Sequence, residues 1–360
     1  MGKCSFLLSR QPDKALPMRM FCTFLLLVMA AAPLRAADWF PYPVLADGQA
    51  ASYQPLAAAS KPWRICALLP HGMDRYWWGV AWGLNEEARR QGVQLGIYEA
   101  GGYQYPDMQW AQLTRCIQLG ADAYVIAAIN TNRLCDDIGL LHKAGVPVID
   151  LVNRIECAGV TARSRVDFAT MAKVALAYIV RHSQGRAIRV GWLPGPRDAG
   201  WVADGERGLR EALQGSAVTL VPGGYGPVDR SSQALLVRDL LTREPDLDYL
   251  LGNAEAAAFA AQLVNSNRSR YHAQVLSFYA TERVLKAIED GLILAAPTDS
   301  PVIQARVAID LAVRALESKS LPGLVSPQIE MLDRQSLERF DISRLMPPGG
   351  HWMIRQELPE

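Results

Sequence analysis

From residue 63 to residue 318 the chain alternates short apolar runs, rich in β-branched residues, with longer stretches of helical period. No other feature constrains the fold as strongly. A strand that is apolar throughout must be covered on both faces, and a helix between successive strands supplies the cover, so the pattern calls for parallel sheets with helices on either side. In the first half, strands are expected near 63–69, 93–99, 123–128 and 147–152, with helices near 76–91, 107–119 and 132–144. Gly92, Gly120 and Gly145 each follow one of these helices, as C-terminal caps do. The second half repeats the rhythm without repeating the sequence. Its strands fall near 188–193, 218–221, 249–252, 275–278 and 292–295, and its helices near 169–181, 200–213, 231–242, 254–263, 281–290 and 301–318. Two such series make two doubly wound α/β domains. Half of the 360 residues are hydrophobic, enough to fill two cores, which excludes intrinsic disorder.

The expected organisation is a signal peptide over 1–37, an extended lead-in over 38–62, and a wrap over one domain by 326–360. Between them lie an N-terminal domain of 63–152 plus 280–300 and a C-terminal domain of 153–279 plus 301–325. The signal peptide is read from Lys3, Arg10, Lys14 and Arg19, which precede an uncharged apolar run of 12 residues and a small-residue site near Ala37. Such a run is shorter than the roughly 20 helical residues that span a bilayer, so export without membrane insertion is expected. Lys and Arg number 37 against 36 Asp and Glu, a balance that gives no reason to expect nucleic acid or anionic membrane as a partner. Past the leader four cysteines remain, Cys66, Cys116, Cys135 and Cys157, an even set in a compartment that permits disulfides, with three possible pairings. No pair has C-x-x-C spacing and the histidines are scattered, so no metal site is expected.

Open parallel sheets bind ligands beyond the carboxyl ends of their strands, which directs attention to the loops there. Asp74 is placed to cap the first long helix, and Tyr76 and Trp77 in its first turn are placed to flank a ligand. Trp78 and Trp82, one turn apart, read as a buried packing stripe. Tyr103 follows the Gly101-Gly102 turn, Phe168 opens a helix and Tyr279 ends a strand. Trp77, Tyr103, Phe168 and Tyr279 thus come from four loops on one edge and are expected to form an aromatic box, which holds methylated cationic nitrogen against ring faces. Asn153 and Asp299 fall where crossings between domains are expected, each as a hinge hydrogen-bonding residue or a ligand group. Arg154 beside Asn153 would suit an acidic group on a ligand. There is no G-x-S-x-G elbow, P-loop, dinucleotide fingerprint or H-E-x-x-H, so neither catalysis nor a cofactor is expected.

Ile65 to Pro70, Asp74 to Trp77, Glu99 to Tyr103, Leu151 to Asn153, Ser164 to Val166, Leu193 to Pro196 and Ser277 to Tyr279 resemble segments of the periplasmic binding proteins of the ribose-binding and LacI-like fold. Within that family they are similar to a sensory branch that works with a membrane sensor histidine kinase in the response to trimethylamine N-oxide. The resemblance implies the type I periplasmic binding protein fold: α/β, two doubly wound parallel-sheet domains with a ligand cleft between them. It also implies a periplasmic location, a small methylated amine as ligand, the periplasmic domain of a sensor histidine kinase as partner, and ligand contacts from Tyr76, Trp77, Tyr103 and Tyr279. Sugar binders of the fold carry Asp where this chain has Tyr279 and an Asp-Arg pair at Val152-Asn153, which argues against a sugar. Phe168 stands where the resemblance calls for Trp, and Arg154 has no counterpart; if it enters the cleft, a betaine-like carboxylate becomes the better ligand. The resemblance further pairs Cys66 with Cys116, leaving Cys135 with Cys157. The alternative within the family is the solute-binding component of an importer for a sugar or quaternary amine.

Overall fold

The computed structural model of the protein describes residues 39–73, 75–349 and 354–359. The expected signal peptide over 1–37 and Asp74 lie outside the described residues. Along the chain, β1 (Tyr42–Ala46) and β2 (Gln49–Tyr53) form a hairpin. There follow β3 (Arg64–Leu69), α1 (Arg75–Gln91), β4 (Gln94–Glu99), α2 (Pro106–Gln118), β5 (Ala123–Ile126), α3 (Cys135–Lys143), β6 (Val148–Leu151) and β7 (Ala162–Ser164). The next series is α4 (Phe168–His182), β8 (Ile188–Leu193), α5 (Gly200–Ala212), β9 (Val218–Pro222), α6 (Arg230–Arg243), β10 (Tyr249–Gly252), α7 (Ala254–Ser266), β11 (Gln274–Ser277), α8 (Glu282–Glu289) and β12 (Ala295–Thr298). Last come α9 (Pro301–Leu316), β13 (Leu324–Pro327), β14 (Glu330–Asp333) and the short α10 (Arg334–Leu337).

Two sheets result, in the orders β2-β1-β13-β7-β6-β5-β3-β4 and β14-β12-β11-β10-β8-β9. The strands that alternate with helices are parallel and wound alike, β4-β3-β5-β6-β7 in one lobe and β9-β8-β10-β11-β12 in the other. Each winding reverses beside its first strand, at β3/β5 and at β8/β10, and such reversals open a crevice at the carboxyl edge. The two doubly wound lobes expected from the alternation are therefore present.

β3 shows how the first lobe is filled. Ile65, Ala67 and Leu69 point into the core shared with Val80, Leu84 and Ala305, while Cys66 and Leu68 point to the other face, with Leu113 and Ile138. α1 and α9 lie together on the first face, and their approach depends on glycine: a Cβ on Gly83 would sit 2.5 Å from the Val302 carbonyl oxygen. On the second face, disulfides join Cys66 in β3 to Cys116 in α2, and Cys135 at the start of α3 to Cys157 in the β6–β7 loop. This is the pairing the resemblance implies.

The expected domain boundaries need correction in five places. β12 pairs with β11, so 280–300 belongs to the second lobe. α9 packs on α1 and against β5, β6 and β7, and β13 pairs with β7, so 301–325 belongs to the first. The first lobe also continues past residue 152 to β7, which pairs with β6. The reason is that the second sheet needs β12 as its fifth parallel strand, while α9, buried along Val302, Ala305, Ile309 and Ala312, covers a face of the first sheet. Residues 38–62 are no simple lead-in, because β1 and β2 extend the first sheet antiparallel to β13. Nor does the tail wrap one lobe: β14 pairs with β12, and Gln356 bridges Ile97 of β4. The chain thus crosses between lobes three times, at 164–168, 298–301 and 327–330.

Candidate functional site

The carboxyl edges of the two sheets face each other around a cavity in which the centre of a water molecule could move through about 30 Å³. Each lobe contributes to its wall. After β3 come His71, Tyr76 and Trp77, after β4 Tyr103, and after β6 Val152 and Asn153; the second lobe adds Phe168 and Trp201 from the first turns of α4 and α5, Val228 ahead of α6, and Tyr279 after β11. Of the residues expected at the site, Tyr76, Trp77, Tyr103, Asn153, Phe168 and Tyr279 are therefore together in one wall. Among the described residues, no Asp, Glu, Lys or Arg lines the cavity.

Six rings close a circuit around the cavity. Trp77 meets Tyr76 at 5.4 Å between centroids, Tyr76 meets Tyr279 at 5.7 Å, and Tyr279 meets Trp201 at 5.9 Å. From Trp201 the circuit passes to Tyr103 at 6.3 Å, to His71 at 5.5 Å and back to Trp77 at 6.1 Å. Most of these contacts are edge-to-face, the favoured arrangement for quadrupolar rings. Phe168 stands behind Trp201 at 6.0 Å.

The polar groups of the wall are oriented from behind. Tyr76 Oη donates to Asp299 Oδ2 at 2.5 Å, and Gln304 Nε2 donates to the same oxygen at 2.6 Å. Burial and the neighbouring Asp299 carboxylate raise the Tyr76 phenol well above its usual range; burial also raises Asp299, against the lowering effect of its two donors. Asp299 lies on the crossing between β12 and α9, behind the described lining residues of the wall. Asn153 is in the wall, in the β6–β7 loop of the first lobe and away from the crossings, where its Nδ2 donates to Tyr103 Oη at 3.0 Å and to the Ala128 carbonyl at 2.9 Å. It is aimed by a tight turn in which its N–H donates to the Leu151 carbonyl at 2.6 Å. That turn holds Val152 at φ 58°, a region that costs a β-branched residue about 1–3 kcal/mol. His71 is buried and its imidazole is held down to about 4 by desolvation, so it is neutral near pH 7.

Arg154 does not enter the cavity. Its Nε meets Asp204 Oδ2 of α5, across the cleft, at 3.2 Å, and its Nη1 meets Glu156. The carboxylate ligand that its presence would favour accordingly loses its anchor. Trp78 and Trp82 are half-buried under guanidinium groups of Arg75 and Arg306, not in a buried stripe.

Sequence reasoning missed His71, Val152, Trp201 and Val228. The signal for Trp201 was available, since it occupies the first turn of α5 as Tyr76 and Trp77 do in α1 and Phe168 does in α4. Gly195 is explained by it: at φ 130°, a Cβ there would lie 2.7 Å from Trp201 Cη2, so the loop after β8 needs glycine for the indole to lie against it. The indole nitrogen of Trp201 is buried without a hydrogen-bond partner among the described residues, a condition that costs about 1–3 kcal/mol when nothing fills it. Among the described residues no group of three or more His, Cys, Asp or Glu is arranged to hold a metal ion, and no helix is long and apolar enough to cross a membrane.

Residues 66–320 match the family model described as a periplasmic binding protein domain. The chain is 34% identical over 294 residues to periplasmic protein TorT of Escherichia coli K12, an alignment that covers 81% of this chain and 84% of TorT. Among solved structures it is similar to an ABC transporter solute-binding protein from Bradyrhizobium sp. BTAi1 with bound bis-tris, at 38% identity and a TM-score of 0.78 over 89% of this chain and all of the other. It is also similar to a chain of the TorS sensor domain–TorT complex in the presence of trimethylamine N-oxide, at 26% identity and a TM-score of 0.73, covering 82% of this chain and 100% of that one.

Proposed function

The chain belongs to the periplasmic binding protein family, in company with TorT, and on that premise we propose that this periplasmic, non-enzymatic protein recognises trimethylamine N-oxide or a closely related methylated amine. We further propose that it relays occupancy to the periplasmic domain of a TorS-like sensor histidine kinase, and that residues 1–37 are its export signal. The observation that carries the ligand assignment is the closed circuit of six rings around a cavity whose described lining residues include no Asp, Glu, Lys or Arg. Ring faces attract a weakly hydrated cationic nitrogen, by about 0.5–2 kcal/mol per contact once water is excluded. Neutral His71 adds no positive charge to oppose it. The same wall suits a hexose poorly: its hydroxyls would meet rings, and the Tyr76 hydroxyl and Asn153 amide are already engaged with Asp299, Tyr103 and Ala128.

The partner assignment is supported by the likeness to TorT, including a TorS sensor domain–TorT complex solved in the absence of ligand. A second reading, the solute-binding component of an importer for an amine, is favoured by the similarity to the Bradyrhizobium protein that holds bis-tris. Sedimentation of the protein with a TorS-type sensor domain, with and without trimethylamine N-oxide, separates the two. Co-sedimentation is expected of the co-sensor. Its absence under both conditions, together with tight amine binding by the protein alone, would transfer the assignment to the importer.

A further inference from the structure

Among the described residues of the cavity wall, Trp201 carries a buried donor that meets no protein acceptor. Trp201 lines the cavity, is 5% exposed, and its Nε1 has no acceptor among the described residues. The Tyr76 hydroxyl and the Asn153 amide, by contrast, are committed to protein acceptors. An indole N–H donates and never accepts, so an acceptor from outside the protein is needed to satisfy it. Nor is the ring free to turn toward solvent. It stacks on Phe278 at 6.1 Å, touches Phe168 at 6.0 Å, and has its benzo edge against the loop at Gly195. Phe168 offers a ring face and no donor, so on this side of the cavity the indole supplies both.

We propose that Trp201 Nε1 is the hydrogen-bond donor to the anionic oxygen of the bound ligand, and that it makes the site selective for molecules pairing a methylated cationic nitrogen with a nearby acceptor oxygen. Plain quaternary ammonium ions satisfy the ring faces and leave the N–H unmet. Trp201 is thus a specificity residue, and the assignment rests on the reading of the cavity as a methylated-amine site. A bond to a charged oxygen is about twice as strong as a neutral one, so its loss is visible in affinity.

The test is calorimetric titration of the protein and its Trp201→Phe variant with trimethylamine N-oxide and with tetramethylammonium. Phenylalanine keeps a ring face and removes the donor. The variant is expected to bind the N-oxide at least tenfold more weakly and tetramethylammonium only about two- to threefold more weakly, since phenylalanine keeps a smaller ring face, which narrows the preference of the parent protein. Equal N-oxide binding by parent and variant would overturn the donor assignment alone. Binding of neither compound by the parent would overturn the methylated-amine reading and this inference with it. Should the variant not fold, the Trp201 indole proton of the parent protein decides by nuclear magnetic resonance: a downfield shift with the N-oxide and none with tetramethylammonium is expected, and no shift with either contradicts the proposal.

Discussion

His71 illustrates how a single side chain sets the electrostatics of the cleft. Its folded value of about 4 lies below the ordinary 6.5, so between those limits the unfolded chain takes up a proton that the folded one does not. Its contribution to stability is complete above pH 6.5 and falls as the pH drops toward 4, by roughly 3 kcal/mol in all. Asp150 acts in the opposite sense. Burial lifts it from 3.8 to about 7 despite Arg165 and Arg163, so in that window the folded chain holds a proton the unfolded chain has lost, and its contribution grows as the pH falls. The parent protein is therefore a poor place to see either effect. Urea unfolding of His71→Gln beside the parent isolates one of them: the variant should gain relative stability on going from pH 7.5 to pH 4, and a pH-independent difference would contradict the assignment. At this scale the sequence was informative where a residue type had one place to go. Tyr76, Trp77, Tyr103, Phe168 and Tyr279 each follow a strand end and reach the wall. Trp201 escaped although it stands one residue into α5 as Tyr76 does into α1. Arg154 misled because its partner Asp204 lies 50 residues away in the other lobe, a contact that no local pattern announces.

Helix α1 is held by its glycines as much as by its apolar face. A Cβ at position 83 would meet the Val302 carbonyl oxygen at 2.5 Å and the Ala305 methyl at 2.9 Å, and neither backbone nor methyl can swing aside. Gly83→Ala should therefore destabilise the first lobe by about 1–3 kcal/mol through overpacking, although alanine is the better helix former by about 1 kcal/mol. Thermal unfolding checks the sign, and an unchanged or raised midpoint would show that α9 moves freely away from α1. The long elements were legible because period and length agree; β8 and β10 fall on the expected residues. The short ones were not. β7 has three residues, and β2 has the burial pattern of an exposed edge, with only Tyr53 buried, so neither carries an apolar run for sequence reasoning to find. β12 begins three residues later than expected, at Ala295, and contains Pro297, which cannot donate to a ladder. That shift accompanied the exchange of 280–300 and 301–325 between the lobes.

The whole molecule is two lobes joined by three crossings, an arrangement that closes around ligand by hinge motion. Among the described residues two ion pairs span the cleft: Arg154 with Asp204, and Arg75 with Glu282 at 2.5 Å. Both are partly exposed, and such pairs contribute up to about 1 kcal/mol. Because they form only between lobes, they bias the closed form that a ligand selects. Arg154→Ala should therefore weaken ligand binding about two- to fivefold, by the same energy, while leaving the ring circuit intact. Asp204 keeps Arg207 at 3.0 Å, so no buried charge is stranded. Fluorescence titration of the variant reads the change, and equal affinity would show that the pair plays no part in closure. Whole-molecule topology was legible in outline, since βα alternation allows few windings, but which lobe the chain re-enters after each crossing is set by packing that only the assembled sheets reveal.

The measurement that bears most directly on the central claim is calorimetric titration of the protein with trimethylamine N-oxide beside ribose, repeated with Trp77→Ala. The ring circuit predicts saturable one-to-one binding of the N-oxide, none of ribose, and loss of the N-oxide signal when the Trp77 ring is removed. Ribose binding in the absence of any N-oxide signal, or N-oxide binding indifferent to Trp77, would contradict it.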